Sequence, residues 1–300
     1  MAIGDRVTIP GHVQYGDLLL GPGTPYRWRR ITGWGDLPAL DSGTTPRAGA
    51  HGAFPGQLLA QARTIGLDGL TVRAPAARIG EVVGALEDAT GPVVDELPFV
   101  AWLDERGPLL AYARVVRRAV PADKGYRVGT ITGGALEFEA TDPRRYEITE
   151  RTASTTLPTS EQGLDWNDDE GAGQGLDWPL AFGEVGSTGA LSVTNAGRAE
   201  THPVIVFRGP VVRPSLINVA TGDTLEYDLP LAAGDVLEVD TRAGTVTLNA
   251  TASRLDRATS RSVPEQTFTL APGTTSLAFR AAPESDPAAS VVVRFRSAYW

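Results

Sequence analysis

One short segment of the chain, Asp41-Ser42-Gly43-Thr44, has the local pattern of the aspartic proteases. In those enzymes two aspartates share a proton. The pattern occurs once in this sequence, so a protease of this kind would need one aspartate from each of two copies. The alternative is an Asx turn, in which the carboxylate bonds to the backbone two residues further on. We expect the turn, because Pro38 interrupts the hydrophobic strand that should precede a catalytic aspartate.

Two carboxylates, Glu137 and Glu139, are separated by one residue in a segment with strand character. Because side chains alternate between the faces of a strand, both would lie on one face, as the carboxylates of a glycosidase sometimes do. Exposed strand carboxylates are far commoner than catalytic ones. We therefore interpret the pair as part of a solvated face.

Metal ligands are scarce. Asp165, Asn167 and Asp169 have the spacing of an EF-hand loop, but Gly171 comes one position late and Leu176 stands where the bidentate glutamate is needed. A looser calcium site in this acidic stretch stays open as an alternative to a solvated linker. There is no cysteine, and the histidines are far apart, so each is expected to bond nearby backbone: His12, His51 and His202. We predict no catalytic residue, no metal site and no cofactor.

The charge balance argues against nucleic-acid binding as the main function. The 300 residues include 27 Lys and Arg against 36 Asp and Glu, a formal net charge of −9, whereas proteins that hold phosphates need positive charge. Apolar runs such as 204–207 are far shorter than the roughly 20 residues that cross a bilayer. Residues 1–10 lack the apolar core of a secretion signal. We expect synthesis in the cytoplasm and no membrane association.

The chain divides by composition into two folded domains and a connector. Residues 151–180 contain one basic and six acidic residues among Gly, Ser and Thr, so 152–178 is interpreted as an exposed connector. We predict a first domain at 1–155, an acidic, glycine-rich linker at 156–180 and a second domain at 181–300.

The first domain mixes strands with one helix. Residues 75–91 have apolar residues at helical spacing, with Pro75 near the start and Gly91 just past the end. In the long strand at 57–72, Gly66 marks a bulge or bend. The strand patterns of this domain lie at 8–10, 13–20, 26–32, 57–72, 98–103, 109–121 and 129–140.

The second domain has an all-β pattern. Short β-branched runs recur about every ten residues with turn residues between them. Leu277 and Phe279 alternate with smaller or charged residues, as in a sheet with one buried face. This predicts a β-sandwich with strands at 189–195, 202–208, 215–218, 223–229, 236–240, 245–248, 266–270, 276–280 and 290–298.

Over nearly its whole length the sequence resembles the distal tail proteins of long-tailed siphophages. One marker is Pro46-Arg47-Ala48-Gly49-Ala50-His51-Gly52 before the long strand at 57–72, similar to that family's loop and Gly-x-His-Gly-like turn before its tube-building strand. The other is a series of motifs in the carboxyl-terminal half: Asn195-Ala196-Gly197, Pro203-Val204-Ile205, Gly209-Pro210, Pro214-Ser215-Leu216-Ile217-Asn218, Thr221-Gly222, Ala233-Gly234-Asp235-Val236-Leu237, Asp240-Thr241, Leu270-Ala271-Pro272-Gly273 and Arg296-Ser297-Ala298-Tyr299-Trp300.

The resemblance implies a mainly β fold, with an α+β amino-terminal ring domain that has one helix, followed by a galectin-like β-sandwich. It implies a structural virion protein of the tail, which joins the tail tube to the tail tip or baseplate as a hexameric ring around the DNA channel. The partners would be copies of the chain, the tail tube protein, the tail-tip hub protein and a receptor-binding protein. DNA would be passing cargo, and an acidic lining would let it slide.

Self-association also follows from the strand content, because edge strands must be paired or covered and a closed ring is one way to do so. We predict that the strand at 57–72 makes the main bond between copies. The predicted self-association residues are Arg47, His51, Gln57, Arg63 and Val72.

A carbohydrate-binding adhesin that contacts host-wall glycans is the alternative function. Flat aromatic rings suit the apolar faces of sugars. The candidate contacts are Trp178, Tyr227 and Tyr299.

Overall fold

The computed structural model describes residues 2–160 and 186–300, which form two compact units. Unit 1 comprises Met1–Ile148 and Tyr299–Trp300, and unit 2 comprises Thr149–Ala298. The boundaries predicted at residues 155 and 180 do not coincide with this division. Most of the predicted linker, with Trp178 and the EF-hand-like spacing, lies outside the described residues. No described helix is long and apolar enough to span a membrane.

Unit 1 is built on one large antiparallel sheet. The strands of the unit are β1 Val13–Tyr15, β2 Leu18–Leu20, β3 Tyr26–Arg27, β4 Arg30–Thr32, β5 Leu40–Asp41, β6 Thr45–Pro46, β7 Ala53–Phe54, β8 Leu59–Ala60, β9 Arg63–Arg73, β10 Leu97–Ala101, β11 Leu109–Ala119, β12 Thr130–Ala140 and β13 Arg145–Glu147. The order of the large sheet is β2-β1-β10-β11-β12-β9-β3, and β4 also pairs with β9.

The predicted helix is confirmed as α1, Ile79–Ala89, entered through a 3₁₀ turn at Ala76–Arg78. Ile79, Val83 and Leu86 recur at helical spacing and are buried against the apolar face of the sheet. Burial of such side chains contributes roughly 1.5–3 kcal/mol each. A single further turn, α2 at Gly125–Val128, precedes β12.

Three strand predictions in unit 1 need correction. The segment 13–20 is a hairpin rather than one strand, because Gly16 turns the chain with φ 53°. Residues 8–10 are not a strand. The predicted strand at 57–72 begins only at Arg63, and its bulge lies at Gly69 rather than Gly66, because Asp68 and Leu70 pair with successive residues of β12. Gly69 has φ 66° and would meet Arg29 if it carried a Cβ.

Unit 2 is a β-sandwich of two antiparallel sheets, in agreement with the predicted fold class. Its strands are β14 Arg151–Thr156, β15 Ala190–Asn195, β16 Val204–Arg208, β17 Val211–Val212, β18 Ser215–Asn218, β19 Thr224–Glu226, β20 Pro230–Leu231, β21 Val236–Asp240, β22 Thr245–Leu248, β23 Ala252–Ser253, β24 Gly273–Arg280 and β25 Ser290–Phe295. One sheet has the order β14-β25-β16-β21-β22-β23 and the other β15-β24-β18-β19. The last strand, β26 Ala298–Tyr299, contains the point where the chain passes from unit 2 back to unit 1.

The core of unit 2 lies between its two sheets. Ile205, Phe207 and Val293 face it from one sheet, and Leu216 and Phe279 from the other. Two predictions fail here. Residues 152–156, taken as the start of the connector, lie in the edge strand β14, which pairs with β25 along its whole length and packs Ala153 against the core. The predicted strand at 266–270 is a 3₁₀ turn, Glu265–Thr267, followed by one isolated bridge.

Candidate self-association arm

Residues 37–60 form an extended arm between β4 and β9. Two short ladders join its limbs: Leu40 pairs with Ala60 near the root, and Thr45 pairs with Phe54 near the tip. Every residue from 39 to 59 is exposed. A two-stranded ribbon is at best marginally stable by itself, so the arm must be held either at its root or by something that it contacts.

The limbs approach closely at two glycines between the ladders. A Cβ on Gly56 would lie 2.2 Å from the carbonyl oxygen of Gly43, so only glycine fits there. Asp41 Oδ1 accepts a hydrogen bond from the Gly43 N–H at 3.1 Å. The Asp-Ser-Gly-Thr segment is thus the Asx turn that the sequence favoured, on an exposed limb of the arm.

The tip of the arm carries the first family-like motif. The Arg47 N–H donates to the Gly52 carbonyl at 3.1 Å, which closes the turn, and Gly49 and Gly52 both have positive φ. The Arg47 guanidinium lies over the Phe54 ring, 4.8 Å from its centroid. His51 is exposed within the turn.

The arm displays apolar side chains that its own unit leaves uncovered. Leu37, Phe54, Leu58 and Leu59 are each more than half exposed, at 62%, 59%, 61% and 53%, and Leu40 is 40% exposed. The sequence pattern did not predict these exposed apolar residues, because it favours one continuous strand at 57–72. The sequence does indicate exposure at Leu58 and Leu59, because adjacent leucines on a strand cannot both face the same core.

Arg63 holds the root of the arm from inside the unit. Its side chain is 1% exposed. Nη1 donates to the carbonyls of Gly33, Trp34 and Asp36 at 2.6, 3.2 and 2.7 Å, and Nε donates to the Pro143 carbonyl at 2.7 Å. Burial lowers the pKa of Arg63 to about 10, which leaves the guanidinium protonated at neutral pH.

The incoming limb is fixed by two more residues. Gly33 has φ 73°, and a Cβ there would overlap the Thr64 carbonyl oxygen at 1.8 Å. The Trp34 ring is buried against Phe99, with ring centroids 5.3 Å apart. The guanidinium of Arg145 covers that ring at 5.7 Å from its centroid.

The structure separates the predicted self-association residues into two groups. Arg47, His51 and Gln57 are exposed on the arm, and their role stays a prediction. Arg63 and Val72 are each 1% exposed, so direct contact with another copy through them is wrong. Arg63 is bound to backbone carbonyls, and Val72 belongs to the hydrophobic core of the unit.

The three predicted glycan-contact residues have different environments in the structure. Tyr227 is 0% exposed and its hydroxyl donates to Glu265 Oε1 at 3.1 Å, so a sugar contact through it is wrong. Tyr299 belongs to unit 1, where its hydroxyl bonds Glu147 at 3.0 Å. Trp178 lies outside the described residues. A cavity of about 430 Å³ in unit 2 is lined by charged and hydroxyl side chains and Ala258, without an aromatic ring among its described residues.

The remaining chemical candidates have structural contacts. Glu139 is bound by Arg114 at 2.7 Å, and Glu137 faces Arg117 in the register of β12 and β11. The His12 ring contacts the Pro22 carbonyl at 2.9 Å through Nε2 and accepts the Thr8 N–H through Nδ1, as expected of a lone histidine. Within 2–160 and 186–300 no cluster of three acidic or histidine side chains is arranged to hold a metal ion.

Comparison with known proteins places the fold. Residues 196–299 match the family model of the siphovirus-type tail component, C-terminal domain. The crystal structure of Dit from phage SPP1, described as a paradigm of the hub adsorption apparatus in phages that infect Gram-positive bacteria, is similar with a TM-score of 0.65. It has 15% identity and covers 96% of this chain and 99% of that one. None of the curated proteins matches.

A chain of the phage P2 baseplate, in its activated conformation with Ca, is similar with a TM-score of 0.53 at 9% identity, over 96% of this chain and 98% of that one. The same baseplate with Sr gives a TM-score of 0.51 at 10% identity, over 94% and 96%. Residues 196–299 are therefore a siphovirus-type tail component domain, in a chain whose fold is that of the distal tail proteins that its sequence resembles.

Proposed function

We propose that this chain is the structural hub of a siphophage tail, in which six copies close into a ring between the tail tube and the tail tip. The observation that carries the proposal is the arm: 39–59 is exposed throughout, and its limbs present leucines and a phenylalanine to solvent. Exposed apolar clusters of this kind mark interaction sites. A ring repeats one contact between identical chains, so the partner that covers these side chains would be a second copy of this chain.

The form of the contact favours a ring. An arm that leaves one copy and binds a different surface on the next makes a heterologous contact, which generates a closed ring or an open filament. Burying a leucine or phenylalanine contributes roughly 1.5–3 kcal/mol. The apolar side chains of the arm therefore offer enough burial for stable association once the entropy of binding has been offset.

The open face of the large sheet is the candidate wall of the DNA channel. The apolar face is covered by α1, whereas the opposite face carries three carboxylates, each opposite one arginine in the strand register. The pairs are Asp68 with Arg30, Glu137 with Arg117 and Glu139 with Arg114. A face of this composition lacks the excess of positive charge that would hold phosphates. Duplex DNA would pass along it as cargo.

The other proposed partners are the tail tube protein on one side of the ring, with the tail-tip hub protein and a receptor-binding protein on the other. The similarity to a chain of the P2 baseplate supports such contacts. The proposed role is geometric and requires no catalytic group.

Mass photometry of the purified chain over a range of concentrations, followed by cryo-EM of the largest species, tests the proposal. We expect a six-fold ring in which the arm of each copy lies on its neighbour. A chain that stays at 31.7 kDa both alone and when mixed with tail tubes, or a ring in which the arms touch no other copy, would overturn it.

A further inference from the structure

We propose that Arg63 is a positioning residue: its buried guanidinium joins the two limbs of the arm at the root and sets the direction in which the arm leaves the unit. The inference rests on the proposed function only for its consequence in assembly. The direction of the arm is a property of one copy and can be measured without a ring.

The position of Arg63 in the chain is the first reason. Arg63 is the first residue of β9, at the point where the outgoing limb enters the sheet. Its side chain reaches back to three carbonyls of the incoming limb, at Gly33, Trp34 and Asp36. One residue thus connects the backbone where the arm begins with the backbone where it ends.

The chemistry of the contact is the second reason. Within the described part of the chain, the hydrogen bonds of Arg63 all go to backbone carbonyls, and its Nη2 is buried without a hydrogen-bond partner there. A buried charge paired only with carbonyl dipoles is a poor way to gain stability, since apolar packing would avoid the desolvation cost. A planar guanidinium, however, presents donors in fixed directions and so holds several carbonyls in one arrangement.

The other connections at the root are short, and the nearest is the ladder of β4 and β9, which contains three residue pairs and ends at Thr32 and Gly66. Between the limbs, the Gln61 N–H donates a hydrogen bond to the Ala39 carbonyl at 2.8 Å. The ladder of β5 and β8 contains two residue pairs. Trp34 anchors the incoming limb in the core, and its carbonyl accepts a hydrogen bond from Arg63 Nη1 at 3.2 Å. Between these two ladders, Arg63 ties the incoming backbone to the outgoing one, so we expect its loss to let the limbs move beyond Thr32.

The direction of the arm can be measured by electron–electron double resonance between two spin labels. The chain has no cysteine, so Ala48→Cys at the tip and Ala85→Cys on α1 give specific attachment sites on exposed alanines. Labelled chain is diluted with excess unlabelled chain of the same variant, which removes distances between copies. The variants are Arg63→Lys and Arg63→Met.

Arg118→Lys is the matched control. Arg118 also donates to backbone carbonyls, those of Glu87 and Thr90, but these belong to the end of α1 and not to the arm. We expect a narrow distance distribution for the parent and for Arg118→Lys, a broader one for Arg63→Lys and the broadest for Arg63→Met. The concentration needed for ring assembly should rise about tenfold for Arg63→Lys because the arm is no longer preorganised.

Unchanged distance distributions in folded Arg63→Lys and Arg63→Met would overturn the proposal. If Arg63→Met fails to fold, two other measurements test the proposal. They are the distance distribution of Arg63→Lys and the exchange rate of the Arg63 Nε–H proton in the parent, measured by NMR. We expect that proton to exchange with water far more slowly than those of exposed arginines, and rapid exchange would count against the clamp. If the parent forms no ring, the proposed function fails, whereas the distances still test Arg63.

Discussion

Gly56 and Gly43 touch backbone to backbone where the two limbs of the arm converge. A Cβ on Gly56 would lie 2.2 Å from the Gly43 carbonyl oxygen and 2.8 Å from that of Ser42. Backbone atoms cannot yield as the end of a flexible side chain can. The path of the exposed arm is thus fixed by a pair of glycines whose role is not visible in any catalytic or binding motif.

Gly56→Ala should separate the limbs and weaken ring assembly while leaving the rest of the unit folded. All neighbouring residues of the arm are exposed, so the free energy of unfolding should change by less than about 0.5 kcal/mol. Mass photometry and circular dichroism measure the two effects. Gly35→Ala is the control, because a Cβ there meets nothing within 4 Å and its φ is ordinary. Equal assembly by both variants would contradict the prediction.

The double variant Leu58→Ser with Leu59→Ser should abolish the apolar contact of the arm. Each leucine buried between copies contributes roughly 1.5–3 kcal/mol, so the concentration needed for assembly should rise about 100-fold or more. Thermal unfolding should stay near that of the parent, because both side chains are exposed. Val219→Ser, which removes an equally exposed apolar side chain in unit 2, should assemble as the parent does. A double variant that still forms rings at parental concentration would count against the arm.

Tyr227→Phe should destabilise the chain without affecting any glycan interaction. It removes the hydrogen bond to Glu265 in the core of unit 2 and leaves a buried carboxylate short of a donor, which costs about 1–3 kcal/mol. Chemical denaturation measures this loss. Tyr126→Phe is the control, because no hydrogen bond of its hydroxyl occurs in the described part of the chain. A stable Tyr227→Phe variant with reduced binding on a glycan array would restore the adhesin hypothesis for this residue.

The same tyrosine gives the chain a pH dependence on the alkaline side. Burial, with Glu265 close by, raises the pKa of Tyr227 well above its usual range. The unfolded chain therefore loses this proton first. The contribution of the neutral phenol is fully present below pH 10 and is lost as the pH rises towards the pKa of the folded state. Chemical denaturation at about pH 8 and at about pH 11, below and above the usual tyrosine pKa of about 10, should show the parent losing stability relative to Tyr227→Phe as the pH rises.

Asp41→Ala and Glu137→Gln should leave host-wall degradation by assembled tails unchanged. Asp41 is exposed and serves an Asx turn, and Glu137 lies opposite Arg117 on a sheet face. A zymogram with purified tails and host wall as substrate measures the outcome. Loss of a lytic band with either variant would support the hypothesis that the chain is a hydrolase.

The regular elements were predictable where periodicity was strong. The spacing of Ile79, Val83 and Leu86 defined α1, and the alternation of Leu277 and Phe279 defined an inward strand face. The strand predictions failed where a turn interrupts an apolar run. The segment 13–20 forms a hairpin, and residues 57–62 precede β9 instead of belonging to it. Local pattern cannot distinguish a continuous strand from two segments separated by a turn when both are apolar.

The sequence by itself determined that the chain is mainly β with one helix, that it has no thiol chemistry, and that its carboxyl-terminal half resembles a tail protein. The tertiary structure alone decided which side chains are accessible. Tyr227 and Arg63 have residue types typical of binding surfaces, yet one lies in the sandwich core and the other beneath the root of the arm. The physical reason is that burial depends on which faces pack together, and Arg63 bonds to carbonyls some 27–80 positions away in the chain.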